Sequence, residues 1–510
     1  MNKFVPVFFT LLLCLSGLGH SAAPVLSISA PWEITSRDPS KSGFVFLRLN
    51  IAETLVNSDP QGKPLPGLAT SWGQSAEGTT WRFTLRQGVL FHDNSPMTVD
   101  AVLNSLQIAL RKPGVLAKAG IKSITAEGND IVIALNAPFS PLPAFLAHHT
   151  TQILAPSCYD AAGNVNKEVI ATGPYRIVTL QPPQKVEMEA FAQYWGNKAK
   201  IQQVKYLGVG RGETRALMAE SGDAHLVFNI DPASMKRLGR QQQLELRSVP
   251  LPRVILFKVN AALPGLSDVR ERRALSLALD RKAITRAILR QEGDVLSQLF
   301  PPNMQDWHMQ AAPTVQLVRH DRDEAERLLA VCGWKKNKSG MLERQGKLFQ
   351  LELVTFPDRP ELPLVAAAIQ DQLRAIGIAV SVNIANSSEI PVRHKNNTLQ
   401  LGLYARNYSL VPNPLGSLIE DFAEQGADWG AMNWFNPTLH KAIADLVQRP
   451  DPAGDAAQRA LVVRILHEEL PLVPVAWYEQ TVAISKKTAN VVIDPFERSY
   501  GLADIEWRQP

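Results

Sequence analysis

Between residues 254 and 410 of this 510-residue chain, strand-like and helix-like segments alternate, and that rhythm constrains the fold more than any other feature. Residues 254–259 form an apolar run ended by Asn260 and Pro264, which reads as a strand. Residues 268–290 read as one long amphipathic helix, because Val269, Ala274, Leu275, Leu277, Ala278, Ile284 and Ile288 recur near helical spacing. A second helix is predicted over 321–331, with Cys332-Gly333-Trp334 at its stop. Strands over 351–355 and 380–384 flank a helix over 362–376 that Gly377 closes. Strands alternating with helices place a sheet under helical layers, so the fold class is α/β.

The first half reads differently. Residues 81–86 alternate apolar and polar, a turn follows at 92–96, and a helix opens at Thr98, whose hydroxyl can cap the amides of the next turn, with Asp100 in that turn. Residues 130–135 form a strand ended by Pro138, and 172–178 a turn followed by a strand. The region 165–250 and the C-terminal 473–484 are rich in strand signals. The chain's end is therefore expected to complete the first domain. The two crossings, near 250–253 and 472–477, would form a hinge.

Residues 1–21 read as an export signal: Lys3 supplies the charge, 5–18 an apolar core too short to span a membrane comfortably, and cleavage falls near Ser21. Leu13 before Cys14 argues against lipidation. No later apolar run reaches the roughly 18 residues of a span, so the mature chain is expected to be soluble. Cys158 and Cys332 lie far apart and are expected to stay unpaired; two isolated cysteines are not a metal-ligand cluster. The net charge of +5 is spread along the chain, with no block suited to nucleic acid. His467-Glu468-Glu469 reads as a solvated helix surface, and Gly208-x-Gly-x-Gly212 as a loop. There is no GxSxG elbow, P-loop or Cys–His grouping, so no enzyme activity is expected.

Six motifs in order carry a family likeness. The stretch 67–102, Ala171-Thr-Gly-Pro-Tyr175, Tyr194-Trp195-Gly196, Arg272-Arg273-Ala274-Leu275 continuing to Asp280-Arg281, Asp323–Leu329 with Gly333-Trp334, and Asn433-Trp434-Phe435-Asn436-Pro437 together resemble the family 5 extracellular solute-binding proteins. These are the dipeptide, oligopeptide and nickel-binding subunits of ABC importers, and the nickel branch is the nearest in character. The resemblance implies a two-lobed periplasmic binding protein of type II, cluster C-like, with a subdomain inserted at about 65–165. It places lobe I at 22–250, lobe II at 251–472 and a return to lobe I at 473–510.

The resemblance also names candidate ligand residues. Where peptide binders hold the ligand's amine with an aspartate, this chain has Asn413, and a neutral amide compensates a buried ammonium poorly. Arg406 and Tyr408 fall where the nickel branch has an Arg-x-Trp segment, and Arg406 could pair with a carboxylate. The branch's metal-contacting histidine loop is here 424–430, with Trp429 and no histidine. His148 and His149 are the metal candidates instead, expected on a strand with one ring facing the cleft. Arg111 and Trp32 complete the set. The expected ligand is a nickel or similar chelate with histidine or an opine-like metallophore, the alternative a short peptide. No intrinsic cofactor is expected; Ni(II) would arrive inside the chelate. The expected partner is a membrane permease, and the protein a monomer.

Overall fold

Two long strands, Leu244–Val259 and Leu472–Ser485, run antiparallel to each other and organise the molecule. Their register breaks between Pro250 and Val254, opposite the Trp477–Glu479 stretch. Proline lacks the amide that a ladder needs, so Pro250 and Pro252 make this the weakest place to keep regular pairing. The strands are the centre of a ten-stranded sheet. On one side lie Leu401–Asn407, Gln350–Thr355 and Ala379–Ile384. On the other lie Leu226–Phe228, Val25–Ala30, Gln203–Gly208, Lys185–Ala190 and Tyr175–Gln181. The structure is a computed structural model that describes residues 24–291, 298–304, 306–309, 319–357, 359, 361–408, 411–448 and 455–508. The leader read at 1–21 lies outside the described residues.

Apolar side chains collect into two large cores, one on each side of the register break. One is built from residues between Val254 and Trp477, among them Phe257, Leu353, Ile369, Leu403 and Val475. The other joins Leu26–Tyr206 to the chain's end, through Val482, Ile484, Tyr500, Leu502 and Ile505. Burying each such side chain favours folding by about 1.5–3 kcal/mol. A separate antiparallel sheet, in the order Ala69–Gln74, Thr80–Leu85, Asp130–Leu135, Ile121–Glu127, carries the helix Val99–Arg111. Thr98 Oγ1 accepts from Ala101 N at 3.2 Å, so the cap read from sequence forms. Among the described residues no helix is long and apolar enough to cross a membrane.

Two expectations need correction. Residues 268–290 are not one helix: Val269–Leu277 is followed by Arg281–Ile284 and a wider turn over Thr285–Leu289. Asp280 starts a new helix by accepting from Ala283 N. The buried Arg281 directs its guanidinium to Pro474 O, Ser276 O and Ser276 Oγ, which fixes the break. His467 is not solvated; it is 6% exposed, because the helix Ala456–Glu469 packs that face inward. Cys158 and Cys332 are both free, the first buried.

The family-like motifs prove to be structural. Thr172, Tyr194 and Trp195 all donate to the Glu53 carboxylate, at 2.8, 2.9 and 3.0 Å. A Cβ on Gly173 would collide with the carbonyl oxygens of Asn50 and Ile51, so that position needs glycine. Glu271 accepts from Trp334 Nε1 at 2.8 Å and Arg344 at 2.7 Å. Glu469 takes Trp434 Nε1 at 2.8 Å and Asn436 at 2.5 Å. Buried carboxylates with several donors hold each lobe in one arrangement.

Candidate functional site

The helix Pro39–Arg48 begins at Asp38, whose carboxylate accepts from Ser40 N at 2.9 Å and also pairs with Lys112. Proline at the first turn and a buried face of Ser42, Val45 and Phe46 set its course. It ends on Arg48, a cation near the negative end of the helix dipole. Arg48 is 8% exposed. Its guanidinium carbon lies 3.8 Å from the Trp32 ring centroid and 5.3 Å from that of Phe44. Phe44 meets His149 edge-on at 5.8 Å, and the His148 and His149 rings are 3.9 Å apart. Trp32, Arg48, Phe44 and the two histidines therefore form one group.

The histidines do not sit on a strand with rings on opposite faces, as the sequence suggested. His148 precedes a single tight turn, His149–Thr151, and accepts from Thr150 N at 3.2 Å through Nδ1. The turn lays the rings side by side. Burial, then the neighbouring His149, holds His148 well below the ordinary histidine range. Burial, then Arg48, lowers His149 to about 4. Both are neutral at pH 7, the form that binds metal. Among the described residues, however, no group of three or more His, Cys, Asp or Glu side chains is placed to hold a metal ion.

Arg48 reaches across to the C-terminal segment. Its Nε donates to Glu497 O at 2.5 Å, and its Nη2 lies 3.8 Å from Glu497 Oε1. Asp494 builds that turn by accepting from Phe496 N, Arg498 N and Ser499 N. It holds Glu497 at φ 54, a left-handed conformation costly for a glutamate. The Glu497 side chain is 4% exposed and accepts from Arg253 Nη2 at 2.6 Å. Burial alone would push its carboxyl up; Arg253 and Arg48, then Arg359, hold it below the ordinary glutamate range. Arg253 stands in the register break of the long strand, and Arg359 follows the carboxyl end of the strand Gln350–Thr355. Their guanidinium carbons lie 5.7 and 5.3 Å from the Tyr478 ring centroid. Three arginines from both lobes thus face one glutamate at the crossing.

The candidates in lobe II are arranged differently. Arg406 donates twice to Asp421, at 2.7 and 2.6 Å, inside the same lobe. Tyr408 is buried against Phe300, with ring centroids 5.1 Å apart, and its hydroxyl has no partner among the described residues. Half-buried Trp429 contacts Tyr404 and Phe356 edge-on and accepts from Tyr404 through its carbonyl at 2.5 Å. Asn413 Oδ1 accepts from Leu415 N, capping the turn into the helix Leu415–Asp421. Arg111 is exposed at the end of its helix.

A cavity of about 740 Å³ lies between the lobes. Lobe I lines it with Asp59, Lys63, Trp72, Trp81 and Phe496; lobe II with Met304, Asp306, Trp307 and Asn413. Phe496, on the cavity wall, is the residue before Glu497; Arg48, Arg253, Arg359 and Tyr478 are not among the residues that line it. Of the sequence candidates only Asn413 lines this cavity.

The sequence reading missed Arg48, Arg253, Arg359, Tyr478 and Glu497. Two signals were available. Arg253 is a lone charge in the proline-rich crossing already read as a hinge. Arg359 follows the carboxyl end of a parallel strand, where ligands of α/β sheets gather.

Residues 63–429 match the model of the bacterial extracellular solute-binding proteins, family 5. The chain is 24% identical to the nickel-binding periplasmic protein of Escherichia coli (strain K12) over 524 residues, covering 98% of each chain. It is 24% identical to the dipeptide-binding protein of the same organism over 531 residues, covering 96% of this chain and 93% of that one. Its fold is similar to NikA from Brucella suis in complex with Fe(III)-EDTA, with a TM-score of 0.83 and 20% identity, covering 95% of this chain and 100% of that one. That likeness shows the two-lobed fold.

Proposed function

The chain belongs to the bacterial extracellular solute-binding proteins of family 5, and we propose that it is the periplasmic capture subunit of an ABC importer for a nickel, or similar transition-metal, chelate with small carboxylate groups. Histidine or an opine-like metallophore would serve as the chelator. The lobes would take the boundaries 22–250 with 473–510, and 251–472. In this reading the chain is a monomer without catalysis, its leader 1–21 is cleaved and not lipidated, and the closed form docks on a membrane permease. Closure about the Pro250–Val254 break follows from the ligand's preference for the closed state.

One observation carries this reading: Arg48, Arg253 and Arg359 face a single buried glutamate between the lobes, beside the rings of Trp32 and Tyr478. Guanidinium forks suit carboxylates, and aromatic faces suit a flat chelate. In this reading a metal ion enters with its own chelator. The two neutral histidines beside Arg48 could supply one further nitrogen.

A short peptide is the second reading. The 740 Å³ cavity favours it, with Asp59 and Asp306 on its wall available to an ammonium group. Isothermal titration of the metal-free mature protein with Ni²⁺, with Ni²⁺ plus excess L-histidine, and with a mixed dipeptide pool separates the two. Heat only from the nickel–histidine mixture supports the chelate. Heat only from peptides overturns it.

A further inference from the structure

Resting on the reading that this cleft takes a small solute, we infer that Glu497 sets the charge of that solute: the site accepts a ligand with a net negative charge spread over at least two carboxylate-like groups. The cluster holds three guanidiniums against the Glu497 carboxylate. Glu361 is a further acid near Arg359 and Arg253. Two carboxylates against three guanidiniums leave the described groups of the cluster with a net positive charge before any ligand arrives.

Its unmet hydrogen-bonding capacity has the same sign. Arg48 Nη1, Tyr478 Oη and Tyr500 Oη are buried without a partner among the described residues. A guanidinium only donates, and each hydroxyl has a proton to give, so what the cluster lacks is acceptors. An anionic oxygen supplies them; an ammonium or a bare cation does not. Arg48 cannot turn away, because its plane is held against Trp32 and Phe44 and its Nε is committed to Glu497 O.

Glu497 then acts as a resident anion. It satisfies Arg253 at 2.6 Å but meets Arg48 only at 3.8 Å, and no ion pair is formed by Arg359 among the described residues. Arg48 belongs to lobe I and Arg359 to lobe II. A ligand with two anionic groups answers both and ties the lobes together, whereas one with a single carboxylate leaves an arginine unanswered. The strained backbone at Glu497, fixed by the Asp494 turn, keeps the carboxylate from swinging out when ligand arrives.

The test is titration of the metal-free mature chain with Ni²⁺ alone, Ni²⁺ with L-histidine (a neutral complex), Ni²⁺ with citrate (an anionic complex), citrate alone, and the dipeptides Glu-Glu and Gln-Gln. The expected result is at least tenfold tighter binding of each anionic probe than of its neutral counterpart, weakening as salt rises. Glu497→Gln should tighten citrate at least fivefold. Arg359→Gln, which removes no ion pair among the described residues, should weaken citrate at least tenfold with an unchanged melting temperature, so the inference stays open to test if the Glu497 variant does not fold. Tighter binding of nickel–histidine than of either citrate probe, with no effect of Arg359→Gln, overturns the charge rule and leaves the chelate reading standing. If no nickel complex binds but Glu-Glu exceeds Gln-Gln tenfold, the chelate reading fails and the charge rule holds. Equal affinity for the two dipeptides, or no binding of any anionic probe, overturns the charge rule.

Discussion

Arg406 and Arg48 are both largely buried arginines near the crossing, yet one is finished and the other is not. Arg406 makes two short bonds to Asp421, whose side chain is 1% exposed, and both residues belong to lobe II. Arg48 reaches from lobe I to the C-terminal segment, and its Nη1 has no partner among the described residues. A buried charge answered inside its own lobe serves the architecture. A buried charge at the boundary with donors to spare is the one a ligand can use.

The largest expected effect tests the first half of that contrast. Asp421→Asn removes the carboxylate that pairs with Arg406 and strands a largely buried cation. Unfolding in urea should lose about 3–5 kcal/mol. Unchanged stability together with lost ligand binding would break the comparison and return Arg406 to the ligand site.

The next effect follows pH. His92 accepts from Ala171 N through Nδ1 at 3.3 Å, and its Nε2 lies 3.0 Å from Gly173 O. Burial lowers His92 to about 4 and His149 to about 4. Their folded values lie below the unfolded value near 6.5, so the unfolded chain takes up protons first as pH falls. Their contribution to stability is full above about 6.5 and is lost between there and about 4, at roughly 1.4 kcal/mol per pH unit for each histidine. Urea unfolding at a series of pH values should show this slope, and His149→Phe should remove one histidine's share. A pH-independent stability across that window would mean that the His149 pocket is not dry, and Arg48 beside it not desolvated.

The third effect is on affinity. Arg48→Ala should weaken an anionic probe 10- to 100-fold, equivalent to about 1.4–2.8 kcal/mol. The same change at Arg406 should alter affinity less than stability. Calorimetric titration beside thermal melting of the two variants reads both. Equal losses of affinity would erase the distinction between the two arginines.

What could be read from the sequence divides along the same line. Thr98 and Asp321 cap the helices that follow them, Asp130–Leu135 is the strand read ahead of Pro138, and Gly377 closes its helix. In each case the cause lies within a few residues. Four of the six motifs supply donors to carboxylates: Thr172, Tyr194 and Trp195 to Glu53, Trp334 to Glu271, and Trp434 and Asn436 to Glu469. The cluster at the crossing has no such local cause. Arg48 and Glu497 are 449 residues apart in sequence, and nothing near either one announces the other. Of the candidates carried over by likeness, Trp32 lies against Arg48, His149 meets Phe44 beside it, and Asn413 lines the cavity. Arg406 failed to stand out as internal because Asp421, its partner, lies a helix away in a segment that the motif does not include.

The smallest effect concerns how the lobes meet. Ser140 donates through its amide to Val447 O at 2.7 Å and through Oγ to Leu446 O at 2.8 Å. These carbonyls belong to the last turn of the helix Pro437–Gln448, where no partner exists within the helix itself. The contact therefore exists only while the lobes are together, unlike Arg406–Asp421, which survives opening. Ser140→Ala keeps the amide bond and removes the hydroxyl bond. The loss is about 1 kcal/mol, taken from the closed state alone. That shifts the open–closed equilibrium roughly fivefold, and apparent affinity by the same factor for a ligand that binds the closed form. Small-angle scattering without ligand should show a larger radius of gyration for the variant, while unfolding of each lobe is unchanged. A variant that opens no further than wild type would mean that the arginine cluster, and not this edge, holds the lobes together.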